Sequence, residues 1–357
     1  MVKSKTKILY LIHIDWAWIK QRPQFLAEEL SKKFDIEIFA RYSFSRFTLS
    51  KAQNEKLNIH NIFHIPGCSK VCILNNVNNF LTSLYFLFQI KKCNPDFIWI
   101  TAPELINFIP KQYRRKVIYD CMDDYISLIK NKKTMCDEQI TVKNAKLIFA
   151  SSLSLIMKLN KRYKLNERKI HLIRNAFDGE IINAGELKKR NDKFRICYIG
   201  TIGEWFDFEL VKKILDVFYY VEFELIGPVI VKNAFMHERV HYHGTVEHDE
   251  LYSAIKNFDC LIMPFILNSI VESVDPVKLY EYINFGKNII CKRYDEIKRF
   301  EEYVYFYNEH EEVIDLIEKL YTKNECKYTI DEKVKFLEEN SWEVRAIEIA
   351  NILNEMT

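Results

Sequence analysis

Lys278 and Glu281 stand three positions apart in PVKLYEYINFG, a run with helical spacing that follows Asp275-Pro276 and stops at Gly286. Residues three apart share one helical face, and a helix start already favours anions. An ammonium there suits a diphosphate, and a carboxylate suits ribose hydroxyls; the plainer alternative is a surface salt bridge. Upstream, YIGTIGEWFD places Gly200, Thr201, Gly203 and Glu204 directly after a strand-like run, with a helix expected near Asp207. Glycines let backbone approach a ligand, and amide groups at a helix start suit phosphate, although such glycines also make simple tight turns. Between these motifs, Gly244-Thr245-Val246 follows another strand-like run. His241 and His243 alternate on that run and would share a face, as zinc ligands could, but no motif places a third ligand and no metal is expected.

The first half carries a different set. Asp120, Asp123 and Asp124 follow the run KVIY. Three carboxylates just past a strand form a candidate acid/base site. The alternative for Asp123 or Asp124 is to cap the next helix. Asp15, Trp16 and Arg22 line the connection after the first strand. Trp16 or Trp18 could stack on a sugar; Arg22 could hold an acceptor anion or pair with Glu28 or Glu29.

These residues need strands to place them. Strands are expected at Ile8–Ile14, Ile36–Ala40, Phe97–Thr101, Val117–Tyr119 and Leu147–Ser151 in the first half. In the second they are expected at Arg195–Ile199, Glu222–Ile226, Val240–His243, Cys260–Pro264 and Asn288–Cys291. Continuous apolar runs alternating with helical patterns, such as Arg22–Phe34, indicate parallel strands buried on both faces. The chain therefore reads as α/β: two Rossmann-like, doubly wound units in tandem. The boundary is expected near Ala176–Lys193, ahead of RICYIG. Asp331–Leu353 reads as helical. Ligands of such sheets bind beyond the carboxyl ends of strands, where the candidate residues fall.

Composition bounds the reading further. With 357 residues, 48% apolar and 28% charged, the chain has ample core for two domains. Its nine Cys are odd in number, include no CxxC, and mostly sit in apolar runs, as expected of reduced, buried thiols. The run Ile8–Ile14 is short and ends at Asp15, unlike a signal peptide. The longest apolar stretch, Phe80–Ile90, is too short to span a bilayer. Residues 1–180 hold 30 Lys+Arg and 16 Asp+Glu, a surplus of 14 positive charges, whereas residues 181–357 hold 22 and 33. The basic half is expected to meet something anionic: a lipid headgroup surface or a phosphate-bearing acceptor. Nucleic acid is not expected, since no compact basic run with interleaved aromatics appears.

The order YIGTIGEWFD, LIGP, YHGTVEHDELYSAIKNFDCLIMPF, PVKLYEYINFGK resembles the C-terminal donor domain of GT-B-fold glycosyltransferases. It looks closest to bacterial enzymes of capsule, exopolysaccharide, teichuronic acid and lipopolysaccharide assembly. DWAWIKQRPQFLAEEL, VIYDCMDDY and SWEVRAIEIANIL resemble the same group, so the likeness spans nearly the whole chain. It implies an acceptor domain over 1–180, a nucleotide-sugar donor domain over 181–338, and a helix within 339–357 returning to the first, with a cleft between the domains. By this resemblance Gly200–Glu204 and Lys278 handle the donor phosphates, Gly244–Val246 lies against the base, Leu279 belongs to the same donor helix, and Glu281 binds the ribose. Ser273 stands eight positions before Glu281, where the large retaining group has Glu, and no Arg occurs in Gly200–Phe208. This fits better a subgroup with a PxKLYE helix, some members of which invert. In inverting relatives with a Tyr-x-x-x-Asp-Asp pattern the first Asp is the base, which corresponds to Asp123.

The expectation is thus metal-independent transfer without a cofactor, from a nucleotide-diphosphate sugar to a lipid-linked or polysaccharide acceptor. It would take place in the cytoplasm at the anionic inner face of the membrane. A nucleotide-sugar epimerase of the same fold, or a catalytically silent partner subunit, are the alternatives. No GxGxxG follows the first strand, which argues against a dehydrogenase.

Overall fold

The apolar runs form the central strands of two parallel sheets. The computed structural model describes residues 5–17, 19–41, 57–62, 72–182, 193–246, 248–323 and 325–356. The chain divides into two units, Met1–Asn175 with Trp342–Thr357, and Ala176–Ser341.

The first unit holds β1 (Lys7–Ile12), β2 (Asp35–Arg41), β3 (Asn58–Ile62), β4 (Phe97–Ile100), β5 (Val117–Cys121), β6 (Leu147–Ala150) and β7 (Ile170–Leu172). Their order is β3-β2-β1-β4-β5-β6-β7, all parallel. The chain reverses direction across the sheet between β1 and β4, the switch point where open α/β sheets bind ligands. Its helices are α1 (Arg22–Ser31), α2 (Cys72–Cys93), α3 (Tyr125–Ile129), α4 (Lys132–Asn144) and α5 (Leu153–Tyr163).

The second unit holds β8 (Phe194–Ile199), β9 (Val221–Ile226), β10 (Val240–Gly244), β11 (Cys260–Met263), β12 (Asn288–Lys292) and β13 (Tyr305–Tyr307). Their order is β10-β9-β8-β11-β12-β13. Its helices are α6 (Phe208–Val217), α7 (His248–Ile255), α8 (Val277–Asn284), α9 (His310–Thr322) and α10 (Ile330–Glu339), and α11 (Trp342–Asn354) completes the first unit. α11 lies against α1, with Trp342 stacked on Phe25 at 5.2 Å and Arg345 Nε donating to the Asn175 carbonyl at 3.4 Å.

Every strand expected from the sequence is present. β1 stops at Ile12, short of Ile14, and α1 ends at Ser31 rather than Phe34. Three edge strands, β3, β7 and β13, were not expected. They are short and only partly buried, so they lack the continuous apolar signature. No disulfide joins the described cysteines at 93, 121, 136, 197, 260, 291 and 326.

Candidate functional site

In the second unit, three adjacent strands end in glycine. Gly200 and Gly227 follow β8 and β9 directly, and Gly244 ends β10; their φ angles are +141°, +135° and +67°. Such angles exclude most side chains. Backbone packing excludes them too: a Cβ on Gly227 would lie 2.2 Å from the Gly200 carbonyl oxygen. Gly200 N–H donates to the Ile226 carbonyl at 2.7 Å, and Gly227 N–H to the Gly244 carbonyl at 2.6 Å. The glycines therefore lock three strand ends into one ledge.

Lys278 lies on this ledge. A Cβ on Gly200 would meet its Cε at 2.2 Å and its Nζ at 2.5 Å. The ammonium stands 5.7 Å from the Tyr198 ring centre. Among the described residues it has neither a hydrogen-bond partner nor an ion pair. Burial lowers its pKa, with the charge of Glu281 working the other way. Lys278 also sits in the first turn of α8, beside the positive end of the helix dipole. Burial and the helix dipole both disfavour the ammonium until an anion arrives, and only Glu281 opposes them. α8 is held in place by Asp275, whose buried carboxylate pairs with Arg299, which also donates to Tyr280. Sequence reading singled out Asp275 but not Arg299, which lies far along the chain.

The other expected donor residues are divided. Gly203 packs under the Trp205 ring; Thr201 and Val246 are partly buried, and Glu204 and Thr245 are exposed. Asp207 caps α6, accepting from Leu210 N–H at 2.9 Å, and takes a further bond from His310. Leu279 is a correction: its side chain is fully buried in the apolar core, because it occupies the α8 face that packs on the sheet, so it presents no side chain to a ligand. Glu222, Glu224 and His241 approach within 4.8 Å of one another. Lys193 and Arg195 pair with Glu222, Arg195 also lies 3.9 Å from Glu224, and His243 hydrogen-bonds Glu224, so these carboxylates already have partners.

In the first unit the three aspartates separate into three roles. Asp120 is fully buried. It accepts from Arg22 Nε at 3.1 Å on both oxygens and from Nη2 at 2.8 Å. Arg22 also donates to the Arg174 carbonyl and to Asn175. Arg22 therefore pairs with neither Glu28 nor Glu29, whose partners are Lys20 and Lys32. Its buried guanidinium is committed to Asp120, which corrects its assignment to an acceptor anion. Asp124 is corrected likewise. It caps α3, accepts from the Ser127 hydroxyl at 2.7 Å, and pairs with Arg162 and Lys158. Burial acts to raise its pKa, but these bonds outweigh burial and hold the carboxyl below its usual value. A carboxylate so neutralised is a poor base.

Asp123 differs. Among the described residues its carboxyl has no hydrogen-bond partner. Burial raises its pKa to about 6; Arg22 opposes the shift and Asp124 adds to it. The main cause is thus desolvation, with the neighbouring aspartate a lesser one. His13, just past β1, was not assigned a role from sequence. Its Nδ1 lies 2.8 Å from the Thr101 hydroxyl, and its ring meets Tyr125 edge-on at 6.0 Å. Burial and the charge of Arg41 lower its pKa to about 4. Tyr125 in turn donates to the Thr101 carbonyl at 2.9 Å. His13, Thr101 and Asp123 therefore collect past the carboxyl ends of β1, β4 and β5, neighbours in the sheet. Asp15 accepts from Ala17 N–H at 3.0 Å, and the Trp16 carbonyl accepts from Gln24 at 3.4 Å. Trp18 lies outside the described residues.

Two parallel sheets in tandem are a shared architecture. The outer core lipopolysaccharide galactosyltransferase WaaB in its apo form matches at a TM-score of 0.70 and 14% identity, over 99% of this chain and 100% of that one. Anabaena Alr3699/HepE in complex with UDP matches at 0.69 and 12%, over 98% and 100%. The fold is GT-B. A curated protein of Bacillus subtilis (strain 168), named "Putative teichuronic acid biosynthesis glycosyltransferase TuaH", is 23% identical over 243 residues. That match takes in 62% of this chain and 61% of the relative's length. No family model matches the chain.

Proposed function

We propose that this GT-B chain is a metal-independent glycosyltransferase of bacterial surface glycan assembly. It moves a sugar from a nucleoside diphosphate carrier to a lipid-linked or polysaccharide acceptor at the anionic inner face of the membrane. The observation that carries the reading is Lys278: a desolvated ammonium, without a hydrogen-bonding partner among the described residues, on a glycine ledge at strand ends. It matches the charge of a diphosphate and would stabilise that group as it leaves. Glu281, one turn on, would take the ribose hydroxyls; Gly200–Glu204 would approach the phosphates, and Gly244–Val246 the base. Asp123, desolvated and without a hydrogen-bonding partner, would act as the general base of an inverting transfer. The names of the similar proteins, one of them bound to UDP, support the choice of donor class. Fold alone does not fix chemistry, so the site carries the argument.

A thermal-shift screen against nucleotide-diphosphate sugars tests it, because a ligand that binds only the native state raises stability. One donor class is expected to raise the melting temperature. Lys278→Ala should weaken that ligand about ten- to a hundredfold by calorimetry, the worth of a charge-assisted hydrogen bond. Unchanged affinity would remove the donor site from Lys278.

A further inference from the structure

α2 presents the wrong face to solvent for a helix of a water-soluble protein. Its inward positions are Asn78, Thr82, Phe86 and Ile90, all buried, at every fourth residue. Phe86 packs edge-on against Phe39 at 5.2 Å and stacks on Phe108 at 6.3 Å. At helical spacing the opposite stripe carries Ile73, Val77, Phe80, Leu81, Leu84 and Phe88, all exposed, with Ile73 at 75%, Phe80 at 63% and Phe88 at 65%. Two asparagine- or threonine-sized polar groups are turned in while six large apolar side chains are turned out. Monomeric proteins rarely expose so long a contiguous apolar patch without a partner for it.

The charge around the stripe selects the partner. Residues 56–95 contain no Asp or Glu at all, and Lys91 and Lys92 close the last turn of α2. Lys91 and Lys92 are the only charges on α2, and an apolar stripe that ends in basic residues suits the interface of an anionic bilayer. No described helix is long and apolar enough to cross a membrane.

We propose that α2 is a membrane-docking helix that lays Ile73–Phe88 among the lipid headgroups and acyl ends, with Lys91 and Lys92 on anionic headgroups. The inference rests on the membrane-face part of the proposed function and names the element that makes the contact; it is testable apart from sugar transfer, since docking needs neither donor nor acceptor.

Vesicle sedimentation of the full chain tests it, with no nucleotide present. Vesicles containing anionic phosphatidylglycerol should carry the protein down, pure phosphatidylcholine vesicles at least tenfold less, and added salt should release it. Phe80→Ser with Phe88→Ser alters only exposed side chains. It should cut partitioning at least tenfold while leaving the nucleotide-induced thermal shift unchanged. Lys91→Gln with Lys92→Gln should cut partitioning severalfold and flatten its salt dependence. The proposal falls if the serine variant partitions like the parent, or if neutral and anionic vesicles bind equally. It also falls if ultracentrifugation shows a dimer that the serine variant dissociates while vesicles bind neither form, for then a second copy covers the stripe.

Discussion

At the scale of single residues, one carboxyl in the aspartate cluster is left with both the freedom and the pKa to move a proton. Asp120 and Asp124 are held by Arg22, Arg162 and Lys158, whereas Asp123 is desolvated with its pKa raised to about 6. A base must be deprotonated, so kcat/KM should fall as pH drops through about 6, with unit slope. His13 offers a second candidate with a pKa lowered to about 4. An acid limb near 4 instead of 6 would therefore move the role from Asp123 to His13. Asp123→Asn should cut turnover about a hundredfold or more with donor affinity intact. It should also stabilise the protein. The folded pKa lies above the unfolded one, so ionising Asp123 costs stability, and the full cost is felt above pH 6. The variant should gain about 1–2 kcal/mol at pH 7, after allowing for partial solvent access, and the gain should vanish as pH falls towards 4. Denaturant melts at the two pH values check the sign.

At the scale of elements, the glycine ledge separates binding from stability. A Cβ on Gly227 meets backbone, the Gly200 carbonyl at 2.2 Å, whereas a Cβ on Gly200 meets the flexible end of Lys278. Both glycines have φ angles that L residues rarely adopt. Gly227→Ala should therefore destabilise by several kcal/mol, since neither strand end can give way. Gly200→Ala should also carry backbone strain, but its distinctive effect should be weaker nucleotide binding, because it displaces the lysine. Calorimetric affinity and melting temperature, measured on both variants, should rank them in opposite orders; the same ranking in both would show the ledge to be structural only. The ledge was half legible in the sequence. Gly200, Gly244 and the spacing of Lys278 and Glu281 stood out because each follows an apolar run or shares a helical period. That Gly227 closes the ledge was not legible, because its reason is a contact with Gly200 across strands. The same holds for Arg22 with Asp120, 98 positions apart: sequence shows both charges but not their pairing. The buried strands were plain, while the edge strands β3, β7 and β13, half-exposed and short, carried no continuous apolar signal.

At the scale of the whole molecule, the chain builds the first unit from two separated stretches. It leaves that unit after Asn175 and re-enters it at Trp342. Within the second unit the two passages run side by side, with Phe177 N–H donating to the Asn340 carbonyl at 2.8 Å and Phe177 bridging to Ser341. The break between α10 and α11 at Asn340-Ser341 marks the crossing; the helical pattern of Asp331–Leu353 did not show it, and only the family resemblance implied a returning helix. α11 contributes Trp342, Ala346, Ile349 and Leu353 to the first unit, all buried, and each large apolar side chain so buried is worth about 1.5–3 kcal/mol. Their sum is a large part of the roughly 5–15 kcal/mol that holds a domain folded. A chain ending after Ser341 should therefore lose the cooperative melting of its first unit, and Phe25 and the rest of the α1 face would be uncovered. The second unit keeps all its strands and Lys278, so the truncated chain should still bind the nucleotide with near-parental affinity in calorimetry. Trp342→Ala in the full chain should reproduce the effect in milder form, at about 3–5 kcal/mol. If the truncated chain melts as the parent does, α11 is an accessory; if nucleotide binding disappears with it, the two units do not fold independently.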